Sequence, residues 1–105
     1  MNILFDKEYL RQLYEEGTAS DKKFRFQPYG IRKYQARVKT LEMASSVEDL
    51  FPLHSLNYEV LKGDKAGISS IRVDDRYRLE FIVNGVGNES EIMVCNILEL
   101  SNHYK

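Results

Sequence analysis

From residue 70 to residue 83 the chain alternates between apolar and polar positions on either side of a short polar break. Ile71 and Val73 interleave with Ser70 and Arg72; Tyr77, Leu79, Phe81 and Val83 interleave with Arg78, Glu80 and Ile82. A period of two predicts strands, so two strands joined by Asp74-Asp75-Arg76 form a hairpin. A two-residue loop would set Val73 against Arg76 and Ile71 against Arg78, mixing apolar side chains with cations. A three-residue loop sets Val73 against Tyr77 and Ile71 against Leu79 and leaves one apolar face. A slip of one residue exchanges the faces, so the apolar pattern selects the three-residue loop. That register also places Arg72 directly opposite Arg78. Like charges at cross-strand positions repel by some tenths of a kcal/mol. Either the two guanidinium groups fan apart into solvent, or an anion such as phosphate sits between them and converts repulsion into charge-assisted hydrogen bonds.

The rest of the chain divides by the same signals. Asn2-Ile3-Leu4-Phe5 predicts a short edge strand, and Asp6 is placed to cap the helix that follows. Leu10, Leu13 and Tyr14 recur at helical spacing and Gly17 ends that helix. Pro28 suits the first turn of a second helix, which runs to about Ala44 with Ile31, Tyr34, Val38 and Leu41 as its apolar stripe. Ser45 to Leu50 has capping-box spacing and predicts one short helical turn, closed by Pro52. Residues 56–61 read as a short extended segment. Lys62-Gly63-Asp64 and Gly67 carry turn chemistry. Asn84 to Asn88 predicts a Gly-containing turn, and Ile92 to Leu100 is apolar on nearly both faces, which predicts a central strand. The expected order is β-α-α-β-β-β over a single domain, residues 1–105. Helices precede an antiparallel sheet, an α+β arrangement.

Composition narrows the function. The chain has 105 residues, is 43% hydrophobic and carries a formal net charge of −1. That is one small domain with a modest core, and not a protein that coats nucleic acid indiscriminately. The charge is unevenly spread. Lys22, Lys23, Arg25, Arg32, Lys33, Arg37 and Lys39 face Asp21 alone between residues 21 and 40, a local +6. This basic stretch is a solvated face, a contact for RNA backbone, or a contact for an acidic partner segment. A single cysteine, Cys95, permits no internal disulfide and reads as a buried inert thiol. With charges from Asp6 onward and no membrane-length apolar run, a cytoplasmic location without membrane contact is expected. Two histidines and one cysteine offer no metal-ligand spacing, and His54 reads as an exposed loop residue, so no metal and no cofactor are expected.

The segments Leu61-Lys62-Gly63-Asp64-Lys65, Ser70-Ile71-Arg72-Val73, Tyr77-Arg78-Leu79 and Asn102-His103-Tyr104 together resemble the RelE/ParE superfamily of bacterial toxins, in particular its HigB-like group. The resemblance covers essentially the whole chain. It implies a RelE-like microbial ribonuclease fold with two N-terminal helices packed on the sheet. It also implies the toxin role in a type II toxin–antitoxin system, with a cognate antitoxin protein as partner. HigB, RelE and YoeB members of this superfamily cleave mRNA in the ribosomal A site without metal; ParE members share the fold and block DNA gyrase. Some HigB proteins carry a histidine three residues before the lysine of Leu-Lys-Gly-Asp and end in Asp-Tyr-His. Here those positions hold Glu59 and Asn102-His103-Tyr104, which look like YoeB instead.

The resemblance therefore assigns catalytic roles to Glu59, Lys62, Arg78, His103 and Tyr104, and RNA or phosphate contacts to Arg72, Lys65 and Arg76. Lys22, Lys23, Arg25, Arg32, Lys33 and Arg37 are expected to meet antitoxin or ribosome. The residue types suit RNA cleavage, which needs a base for the 2′-OH, an acid for the leaving 5′-oxygen and cations for the developing charge. Glu59 would take the 2′-OH proton and His103, with a histidine's usual pKa of about 6.5, would protonate the leaving oxygen, leaving a 2′,3′-cyclic or 3′-phosphate end. The alternative is a non-enzymatic binder: a gyrase-blocking toxin, or a member kept for antitoxin binding and autoregulation.

Overall fold

A computed structural model describes residues 1–86 and 92–102. Strand β1 (Asn2–Phe5) leads into helix α1 (Glu8–Glu15), then helix α2 (Pro28–Met43). Short 3-10 turns and a two-residue strand β2 (Glu59–Val60) follow. The hairpin β3 (Ser69–Arg72) and β4 (Tyr77–Val86) precedes the long strand β5 (Ile92–Asn102). The sheet order is β1-β5-β4-β3-β2.

The hairpin has the register the apolar pattern selects. Ile71 faces Leu79, Arg72 faces Arg78, and Val73 N–H donates to the Tyr77 carbonyl at 2.9 Å. Ile71, Val73, Leu79 and Phe81 are all buried. They form the sheet side of a core that takes Leu10 and Leu13 from α1 and Tyr34, Val38 and Leu41 from α2. The Tyr34 hydroxyl donates to the Leu10 carbonyl at 2.7 Å and ties the helices together. Both helices end close to the expected positions, and Gly17, at φ +77°, closes α1 with its N–H on the Gln12 carbonyl.

Four expectations are corrected. The sheet is mixed, not antiparallel: the chain re-enters the sheet after the helices at β2, and the three antiparallel reversals β2-β3, β3-β4 and β4-β5 leave β5 running parallel to β1. It has five strands, since Glu59 and Val60 of the extended segment pair with Ser70 and Ser69. Asp6 does not cap α1. The N-cap position is Lys7, without a side-chain cap, while Asp6 N–H continues the sheet by donating to Ile97. Asn84 to Val86 is strand, paired with Ile92 to Val94, so β4 runs through the start of the predicted turn. β5 is an interior strand between β1 and β4.

Candidate active site

Alternation along β3 and β4 puts Ser70, Arg72, Arg78 and Glu80 on the face away from the hydrophobic core. Register then builds two rows. Glu59 on β2 pairs with Ser70, Ser70 with Glu80, and Glu80 with Glu99 on β5. Beside this row, Arg72 pairs with Arg78 and Arg78 with Ser101. An irregularity between Glu80 and Phe81 shifts the pairing with β5 by one residue. The shift returns Leu100 to the core after Cys95 and Ile97.

Each glutamate in the first row has its own cation. Arg78 Nε lies 3.9 Å from Glu59 Oε1. Lys65 Nζ binds both Glu80 oxygens, at 3.1 and 3.0 Å. Lys7 Nζ binds Glu99 at 2.8 Å, and the Tyr9 hydroxyl donates to the same carboxylate at 2.6 Å. Burial raises the Glu99 pKa, but the bonds from Lys7 and Tyr9 outweigh it and hold the carboxyl below its usual value. Burial, and then the bond to Glu99, push the Tyr9 hydroxyl well above the ordinary tyrosine range.

Arg78 is the fixed point of the site. It is 9% exposed. Its Nε donates to Ser70 Oγ at 2.6 Å, and its Nη2 donates to the Asn57 and Ser70 carbonyls at 2.6 and 3.2 Å. Asn57 presents its carbonyl from a left-handed conformation, φ 45° and ψ 53°, which asparagine tolerates better than most residues. Glu59, by contrast, has a side chain about half exposed. At 3.9 Å it is an ion-pair neighbour of Arg78, beyond hydrogen-bond range. A half-exposed carboxylate thus sits beside a guanidinium held by neutral acceptors.

The other expected residues divide. Lys62 is exposed at the start of the 3-10 turn Gly63–Lys65. Lys65 is committed to Glu80, and Arg72 turns from Arg78 to the Asp75 carboxylate in the hairpin loop. Arg76 is exposed. His103 and Tyr104 lie outside the described residues, directly after β5. On the basic stretch, Arg37 bonds the Arg72 carbonyl at 3.0 Å and so joins α2 to β3. Lys33 lies over the Tyr29 ring and Lys23 over Phe24. Lys22, Arg25 and Arg32 are exposed. The sequence reading missed Ser70, Glu80, Glu99, Tyr9 and Asn57. Ser70 and Glu80 shared the polar phase of Arg72 and Arg78, so their face was legible. Tyr9 and Asn57 gave no such signal.

Cys95 is buried at the core, where loss of hydration pushes its thiol up to about 12. It is not part of the site. Among the described residues, no cluster of three or more His, Cys, Asp or Glu side chains could hold a metal ion, and no helix is long and apolar enough to cross a membrane.

No curated protein sequence matches the chain. Among solved structures, a YoeB/ParE toxin from Agrobacterium tumefaciens superposes with a TM-score of 0.61 at 18% identity, over 99% of this chain and 100% of that one. At that identity the likeness speaks for the fold: helices and sheet are arranged as in that toxin. The sequence itself carries the family, since residues 3–94 match the model for HigB-like toxins, described as the RelE-like toxin of type II toxin–antitoxin system HigB. With that match across most of its length and the fold to agree with it, the chain belongs to the HigB-like family of RelE-like toxins, whose members are paired with an antitoxin.

Proposed function

We propose that this toxin is an endoribonuclease that cuts mRNA on the ribosome by attack of a 2′-OH on the adjacent phosphate. One observation carries the reading: an exposed carboxylate, Glu59, stands 3.9 Å from a buried guanidinium, Arg78, that neutral groups hold in place. Glu59 takes the 2′-OH proton, and Arg78 with the exposed Lys62 stabilises charge on the phosphorane. Preorganisation of Arg78 supports this role, because its fixed dipoles need no rearrangement when the charge develops. His103 supplies the proton to the leaving 5′-oxygen, and Tyr104 orients phosphate or stacks on a base. Arg72 and Arg76 lie towards the hairpin loop, where they suit the flanking backbone.

The test is expression of wild type, Glu59→Gln and His103→Gln in a bacterium, with mRNA 5′ ends mapped after induction. Wild type should arrest growth and produce new in-frame cuts. Loss of one general base or acid typically costs about 10²–10⁴-fold, so both substitutions should abolish the cuts. Glu59 makes no short bond in the fold, so Glu59→Gln should melt with wild type. Growth arrest without cuts, unchanged by either substitution, would refute the ribonuclease reading and turn attention to gyrase.

A further inference from the structure

Glu80 has no role in the chemistry proposed above, yet it is a buried carboxylate on the site's own face. It sits two residues from Arg78 on β4 and directly across from Ser70, the residue that anchors Arg78. Its side chain is 9% exposed, and both of its oxygens are taken by Lys65, whose side chain is half exposed. Lys65 is the last residue of the 3-10 turn that begins beside Lys62. The backbone of this segment is held at its base, where Leu61 N–H bonds the Ile68 carbonyl at 2.8 Å and Ile68 N–H bonds the Lys65 carbonyl at 3.0 Å. Two glycines with positive φ, Gly63 and Gly67, flank Lys65, where side-chain-bearing residues would be strained. The Lys65–Glu80 bridge is the side-chain tie that pins the tip of this loop to the sheet.

We infer that Glu80 is a positioning residue of the cleavage site: through Lys65 it fixes the turn that carries Lys62, three residues along the chain from Glu59. The inference rests on the ribonuclease reading, and it changes the expected task of Lys65. With both carboxylate oxygens on its ammonium, Lys65 serves the loop and not the RNA. A half-exposed lysine binding phosphate directly would not require a buried carboxylate beneath it, since that carboxylate repels the same phosphate.

The experiment compares wild type, Lys65→Met, Lys65→Arg, Glu80→Gln and the double variant Lys65→Met/Glu80→Gln in ribosome-dependent cleavage of one defined mRNA. Both kcat and KM are read, and melting by circular dichroism confirms that each variant is folded. Lys65→Met and Glu80→Gln should each lower kcat on the order of tenfold, as a misplaced catalytic group does, with KM within about twofold. The double variant should be no slower than the worse single, and Lys65→Arg, which can still reach Glu80, should recover most of the loss. If Lys65→Met is slow while Glu80→Gln matches wild type, Lys65 acts on RNA directly and the inference is overturned. Losses that multiply in the double variant overturn it as well. If wild type cuts nothing, the ribonuclease reading fails, and the bridge is then judged alone by amide hydrogen exchange at residues 61–66. Exchange there should speed up in Glu80→Gln; unchanged exchange rules out the tether.

Discussion

Replacing Arg78 by methionine removes the guanidinium and keeps much of the stem. Three hydrogen bonds are lost, to Ser70 Oγ, the Ser70 carbonyl and the Asn57 carbonyl. Ser70 is 1% exposed, so water cannot easily take over its two acceptors. Each buried acceptor left unpaired costs about 1–3 kcal/mol. The Asn57 carbonyl adds little, because Asn57 is exposed and can be hydrated. Against this, a buried charge no longer has to be stripped of water, which returns part of the loss. The balance is roughly 2–3 kcal/mol of destabilisation. At roughly 4–8 °C per kcal/mol for a domain of this size, Tm should fall by roughly 10–20 °C. The assay is thermal melting by circular dichroism, with Ser70→Ala and the double variant completing a cycle. The coupling between the two sites should be about 1–2 kcal/mol. A methionine variant that melts within about 3 °C of wild type would refute the argument that Arg78 is a structural anchor. The result bears on function too. An Arg78 variant that loses toxicity must be shown folded before the loss is assigned to catalysis, whereas Glu59→Gln carries no such ambiguity.

Four further outcomes follow from the same structure. Tyr9→Phe removes the hydroxyl that accepts from Leu100 N–H and donates to Glu99, so it should cost about 2–3 kcal/mol in chemical denaturation. Glu99 is held below its usual 4.5, so its contribution is fully present above about pH 4.5 and is lost as pH falls through the lowered folded value. Glu99→Gln should therefore flatten the acid limb of stability measured from pH 6 to pH 3, and an unchanged limb would show that the clasp does not bind protons differently on unfolding. Asn57→Gly should be tolerated and Asn57→Val should destabilise by about 1–2 kcal/mol, because a β-branched side chain opposes φ 45°; equal melting of the two would contradict this. The Cys95 thiol, pushed up to about 12 by burial, should resist alkylation at pH 8 in the folded protein and react when it unfolds; rapid labelling under native conditions would count against that burial.

Much of this molecule is written locally. The two helices, the hairpin and its three-residue loop follow from short-range patterns, because periodicity and turn chemistry act over a few residues and Ile71, Val73, Leu79 and Phe81 tolerate only one register. The same alternation already placed Arg72 and Arg78 side by side. What the sequence could not settle is where those cations point. Arg78 turns inward because Ser70 is its diagonal cross-strand neighbour and Asn57, 21 residues earlier in the chain, aims a carbonyl at it. Arg72 turns to the loop because Asp75 is within reach. Glu59, Glu80 and Glu99 form one row only once β2, β3, β4 and β5 are paired, across 40 residues of chain that no local rule connects. The parallel pairing of β1 with β5 is likewise a long-range outcome, fixed by the three antiparallel reversals from β2 to β5 and by burial of Cys95 and Ile97 beneath the helices. Local pattern determined which residues share a face; the assembled sheet decided which carboxylate meets which cation, because that choice depends on distances between segments far apart in sequence.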